Sequence, residues 1–113
     1  MITFSPDNLQ AFEAKAAAAA TLLRSLANER RLLLLCQLGD GELSVGTLQS
    51  RLGLSQSALS QHLAVLREEG ILSTRRQAQT IYYRISDPAA AKVIETLASI
   101  FCPEMLEHDP DAH

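Results

Sequence analysis

Leu52-Gly53-Leu54-Ser55-Gln56-Ser57-Ala58-Leu59-Ser60-Gln61-His62-Leu63-Ala64-Val65-Leu66-Arg67-Glu68-Glu69-Gly70 reads as a tight turn followed by a helix with a polar, largely uncharged face. Gly53 supplies the backbone freedom that a short helix-to-helix turn needs. Ser55 can cap the new helix by accepting a hydrogen bond from an early backbone N–H. Leu59, Leu63 and Leu66 recur at helical spacing as one apolar stripe, with Val65 beside it, and Gly70 stops the helix. Gln56, Ser57, Ser60 and Gln61 fall on the first turns, largely on the other side. Short side chains that both donate and accept hydrogen bonds can approach base edges in a major groove, where Lys and Glu would mark an ordinary solvated face. A polar surface that touches only water has the same composition, so the stretch by itself leaves both readings open.

Working outward, Leu43–Leu52 is predicted as a short helix capped at Ser44, which with the Gly53 turn and the Ser55 helix makes a helix-turn-helix. Upstream, Asn28 is a plausible cap for a helix carrying Leu32-Leu33-Leu34-Leu35-Cys36-Gln37-Leu38, too apolar for the surface, and Gly39-Asp40-Gly41 ends it. Residues 7–27 read as one helix capped at Asp7, with its Ala14–Ala20 run and a stripe of Leu9, Phe12, Ala16, Ala19, Leu23 and Leu26. Small side chains allow close approach of another helix, so this segment fits an interface as well as a core. Downstream the periodicity changes. Residues 71–76 and 80–85 are rich in β-branched and aromatic residues, and with Gln77-Ala78-Gln79 between them they predict a β-hairpin. A hairpin directly after a reading helix is a wing. Its Arg75, Arg76 and Gln79 are placed for phosphate or minor-groove contact, with Ile81 and Tyr83 packing inward. Ser86-Asp87-Pro88 caps a last helix that runs to Pro103, and residues 107–113 form a polar tail.

The fold class expected is mostly α with a β-hairpin wing, a winged helix-turn-helix in one domain spanning 1–113. The 113 residues suffice for one modest core, and a hydrophobic content of 47% with only 4% aromatics makes that core mostly Leu and Ala. The longest apolar runs, Ala16–Ala20 and Leu32–Cys36, have five residues, far short of the roughly 20 that span a bilayer. The N-terminus shows no signal-peptide pattern, so no membrane partner is expected and the cytoplasm is the default location. The net charge of −3 argues at first against nucleic acid, but its distribution does not. Residues 51–84 carry +3 and residues 85–113 carry −5, so the middle third holds the credible phosphate-facing surface.

This succession of elements resembles the ArsR family of winged-helix repressors. The resemblance rests on Leu26-Ala27-Asn28-Glu29-Arg30-Arg31-Leu32, Leu43-Ser44-Val45-Gly46-Thr47-Leu48 and Leu54–Leu63, with Leu66–Leu72 and Ala78–Tyr83 also fitting. It covers nearly the whole chain. It implies a homodimer built from the first and last helices, seated on a two-fold symmetric double-stranded DNA operator and released by an inducer. On that reading Ser55, Gln56, Ser57, Ser60, Gln61, His62 and Arg67 of the reading helix, with Arg75, Arg76 and Gln79 of the wing, contact DNA. His62 fits packing as well as DNA contact.

Many members of that family sense metals, and here the chain departs from them. Ser44 and Val45 stand where such sensors often have a Cys-x-Cys pair, and no His lies between Asp87 and Cys102. His108 and His113 have no partner pattern, so neither a metal site nor a cofactor is expected. Two cysteines remain, Cys36 and Cys102. Free cysteines are often small buried hydrophobes, but in a cytoplasmic chain a pair is more often redox-active or metal-binding than a structural disulfide. The sulfide- and persulfide-responsive branch of the family shares this pairing, which implies reactive sulfur species as inducer and a sulfur bridge within one subunit. Metal or metalloid binding, response to general oxidants, and inert cysteines are the alternatives. Catalysis is not expected, since neither cysteine has a matching His and acid, nor is there a Gly-rich phosphate loop. A protein-interaction module that never meets DNA is a further reading.

Overall fold

The computed structural model describes residue 3 and residues 5–105; the expected polar tail, with His108 and His113, lies outside them. The elements run α1 (Pro6–Glu13), α2 (Ala16–Leu26), α3 (Glu29–Leu38), β1 (Glu42–Ser44), α4 (Val45–Leu52), α5 (Gln56–Glu68), β2 (Leu72–Gln77), β3 (Thr80–Ile85) and α6 (Pro88–Phe101), followed by a 3-10 turn at Pro103–Met105.

Polar caps set most of the helix starts. Asn28 Oδ1 accepts from Arg31 N at 3.0 Å, Ser44 Oγ from Thr47 N at 3.2 Å, Ser55 Oγ from Ala58 N at 3.1 Å, and Asp87 Oδ1 from Ala89 N at 2.9 Å. The expected single helix over 7–27 is instead two helices. Ser5, not Asp7, caps α1, and the chain breaks at Ala14-Lys15, where Lys15 N donates to Phe12 O at 2.8 Å. Alanine propensity favours continuity only weakly. Packing acts on one half alone: α1 buries no residue, whereas α2 buries Ser25 and Leu26.

The sequence reading also missed β1. Residues 42–44 pair antiparallel with β3 (Glu42 opposite Arg84, Ser44 opposite Tyr82) before the helix begins at Val45. The sheet order is β1-β3-β2, with β3 central. The hairpin turn is tighter than expected. Gln77 pairs with Thr80, leaving only Ala78 and Gln79 in the turn, and Ala78 has φ +56°. A positive φ at the first of two turn residues matches the type II′ class, which favours glycine there.

The buried side chains form one cluster: Leu26 of α2, Leu34, Leu35 and Leu38 of α3, Leu48 of α4, Leu59, Leu63 and Leu66 of α5, Ile71 and Leu72 of the wing base, and Ala90 and Ile94 of α6. Tyr83 and Ile85 pack against it. Strand alternation puts Ile81 on their side of the sheet, as the sequence reading anticipates. Val65, expected beside the buried stripe, is 37% exposed.

Replacing Ala78 with glycine removes the left-handed backbone penalty of an L side chain, worth roughly 1 kcal/mol. The A78G variant is therefore expected to melt about 4–8 °C higher than the parent by calorimetry or circular dichroism. An unchanged or lower Tm would mean that the turn carries no such strain.

Candidate nucleic-acid interface and thiol pair

Helix α5 is aimed by both of its ends. At the start, Gly53 adopts the left-handed conformation (φ +66°, ψ 23°) that closes α4, its N–H bonding to Gln49 O at 3.0 Å, and Ser55 caps the next helix two residues later. At the end, Gly70 has φ +78°, with Gly70 N bonded to Arg67 O at 3.0 Å and Ile71 N to Leu66 O at 2.9 Å. These are the paired bonds of a Schellman cap, and Ile71 behind it is buried. Leu59, Leu63 and Leu66 point into the core. The opposite side is thereby fixed: Gln56, Ser57, Ser60, Gln61 and Arg67 are all exposed. Ser55 and Ser57 hydroxyls lie 3.4 Å apart. Donor-acceptor side chains on the first turns of an exposed helix, with no acid among them until Glu68, can reach base edges.

His62 is half-buried at the edge of this face. Burial first, and then the nearby Arg31 and Arg30 guanidiniums, push its imidazole below the ordinary histidine range. At neutral pH it is therefore an uncharged ring with one donor and one acceptor. Arg31 itself is tied down, its Nε donating to Ser25 O at 2.7 Å. The proximity of the start of α3 to His62 is not readable from a sequence separation of about thirty residues.

On the wing, the side chains of Arg76 and Gln79 are exposed and make no hydrogen bond or ion pair among the described residues. Arg75 is differently placed. Its Nε donates to Glu42 Oε1 at 2.7 Å, its Nη2 forms an ion pair with the same carboxylate, its Nη1 donates to Gln77 Oε1 at 2.8 Å, and its guanidinium lies 4.6 Å from the Tyr82 ring centroid. The hydrogen bond from Arg75, with the fields of Arg75 and Arg84, holds the Glu42 carboxyl below the usual range. The sequence reading missed Glu42, because only β1, itself unseen, brings it to the wing.

Cys36 lies on α3 and Cys102 caps the end of α6, both half-buried and both free thiols. The two helices pack together. Burial, and after it the neighbouring Cys102, push the Cys36 thiol up. Cys36 opens into a cleft of about 420 Å³ between the end of α3 and α6, lined also by Asp40, Ile94, Glu95 and Ala98. Ala91 and Ala98 line it from α6, the helix that Cys102 closes. Among the described residues, no three His, Cys, Asp or Glu side chains gather as a metal site requires, and Asp87 is committed to capping α6. No helix among them is long and apolar enough to cross a membrane.

Comparison with known proteins agrees with this architecture. The family model described as bacterial regulatory protein, arsR family, matches residues 28–74, from the cap of α3 to mid-β2. The transcriptional activator HlyU of Vibrio cholerae is 54% identical over 98 residues, covering 87% of this chain and 91% of that protein. The biofilm growth-associated repressor of Agrobacterium fabrum is 50% identical over 94 residues, covering 83% of this chain and 80% of that one. A solved structure of reduced HlyU from Vibrio cholerae superposes with a TM-score of 0.78 at 54% identity, covering 82% of this chain and 98% of that one. A helix-turn-helix with an exposed polar reading helix, a wing, and relatives of this kind make the chain a DNA-binding transcriptional regulator and not an enzyme. It belongs to the ArsR family of bacterial regulatory proteins, in the group that holds HlyU and the biofilm growth-associated repressors.

Proposed function

We propose that this protein is a cytoplasmic, homodimeric repressor whose grip on a two-fold symmetric operator is switched by sulfur chemistry at Cys36 and Cys102. The observation that carries this reading is the placement of two free, partly exposed thiols on helix α3 and at the end of the α6 helix packed against it. A relative whose solved structure is named as reduced HlyU supports it.

The chemistry needs a persulfide, RSSH, as oxidant. One cysteine thiolate attacks its outer sulfur; RSH departs after taking up a proton, and the protein carries a persulfide. The other thiolate then attacks the inner sulfur of that persulfide and expels hydrosulfide, leaving a disulfide between α3 and the end of α6. If both cysteines carry persulfides, attack of one on the other leaves a trisulfide and again expels hydrosulfide. Either bridge ties the C-terminal end of α6 to α3. Leu9 of α1, Leu23 of α2 and Ile100 and Phe101 of α6 are exposed apolar side chains, and Phe101 is 76% exposed. Such side chains suit a dimer interface. A bridge beside Phe101 would change that interface and with it the separation of the two α5 helices, which must meet successive major grooves. Coupling of about 1–3 kcal/mol, five- to 150-fold in affinity, is enough to empty an operator.

Reduced protein treated with a persulfide donor is expected to lose two hydrogens, or to gain a sulfur less two hydrogens, by intact mass, with a peptide linking Cys36 to Cys102. Operator affinity in the same sample should fall at least ten-fold, and C36S or C102S should bind operator but neither bridge nor release. A bridge that leaves affinity unchanged would reduce the cysteines to bystanders.

Phe101→Asp is expected to shift the protein from dimer to monomer in sedimentation equilibrium, with weaker operator binding. A monomeric parent would remove the two-fold reading.

For DNA readout, Gln56→Ala is expected to lower the ratio of operator to random-duplex affinity by about 1–3 kcal/mol while leaving random-duplex binding unchanged. An unaltered ratio would take Gln56 out of base recognition.

A further inference from the structure

The outer face of the wing carries a charge pair, Arg75 with Glu42. Alternation along β3 places Tyr82 and Arg84 on the side opposite the core-packed Tyr83 and Ile85, with Arg75 beside Tyr82 and Glu42 beside Arg84 in register. Arg75 spends Nε and Nη2 on Glu42 and Nη1 on Gln77, and it lies over Tyr82. Arg76, the next residue, points to the other face and makes no ion pair among the described residues.

We propose that Glu42 is a positioning residue that masks Arg75 from DNA phosphates, leaving Arg76 as the cation of the β2 strand that the wing offers to the duplex. The proposal rests on the wing lying against DNA. Phosphate neutralisation depends on net charge at the contact surface, and a guanidinium held beside a carboxylate on one sheet has almost none to contribute. If Arg75 turned to a phosphate, Glu42 would lose its hydrogen-bonded partner and stand next to a polyanion with only the field of its cross-strand neighbour Arg84 to offset it. It could not withdraw, because it sits on β1, two residues before the Ser44 cap of α4, and is hydrogen-bonded into the same sheet as the wing. An exposed ion pair contributes little to folding stability. Its effect here is on the sum of charge that DNA meets, and that sum is sequence-independent. Glu42 thereby limits non-specific adhesion without touching the base-reading face of α5.

The test is a salt titration of binding to a random-sequence duplex, between roughly 50 and 200 mM KCl. E42Q keeps a hydrogen-bond acceptor for Arg75 and removes the charge. It is expected to steepen the slope of log K against log salt by about 0.9 and to tighten low-salt binding roughly three- to ten-fold. E42Q/R75Q is expected to return the slope to that of the parent. A structural role for Glu42 would instead weaken binding with no change in slope. An unchanged slope in E42Q overturns the proposal, as does a steeper slope that survives in E42Q/R75Q, which would assign the effect to the field of Glu42 alone. A parent protein with no salt-dependent duplex binding overturns the placement of the wing on DNA, and this proposal with it.

Discussion

Burial of one leucine stripe, Leu59, Leu63 and Leu66, is the constraint on which the rest of this structure depends. All three are at most 2% exposed, in a cluster that α2, α3, α4, the wing base and α6 complete. Truncating a side chain at such a site costs about 2–5 kcal/mol, a large part of the stability of a domain this size. The helix therefore cannot rotate about its axis. Gln56, Ser57, Ser60 and Gln61 are exposed because the leucines are not. Exposed side chains are thus oriented by the buried ones on the same helix, and a reader of base edges needs that fixed orientation.

The wing is held by a similar division of faces. Tyr83 and Ile85 fasten β3 to the core, and β1, three residues long, fastens it to the start of the helix-turn-helix. This leaves the opposite face of the sheet to charged and aromatic groups that settle among themselves. Arg75 and Arg76 are adjacent in sequence and chemically identical, yet strand alternation gives them opposite faces, and Arg75 alone is paired with a carboxylate among the described residues. A local charge of +3 over residues 51–84 accordingly overstates what the wing presents to phosphate.

The thiol pair occupies the other end of the molecule's logic. Cys36 stands on the helix that feeds the core and Cys102 closes the helix that carries the exposed Ile100 and Phe101. A covalent change between them bears on both at once. No shared side chain between the thiols and α5 is required for coupling, because a dimer interface at α6 would set the spacing of two reading helices.

Much of this was legible in the sequence, where local chemistry decides the outcome. The caps at Asn28, Ser44, Ser55 and Asp87, the stops at Gly53 and Gly70, the inward leucines and the hairpin are all set by residues a few positions apart. The candidate reading residues could be picked out for the same reason, whereas Cys36 and Cys102 stood out as the chain's two cysteines. Tertiary structure alone decided the break at Ala14-Lys15, strand β1, the capture of Arg75 by Glu42 and the approach of Arg30 and Arg31 to His62. Each depends on contacts between distant segments or on a packing partner that one half of a helix has and the other lacks. Three residues of strand carry too short an alternation to recognise, and an ion pair spanning 33 positions leaves no periodic trace.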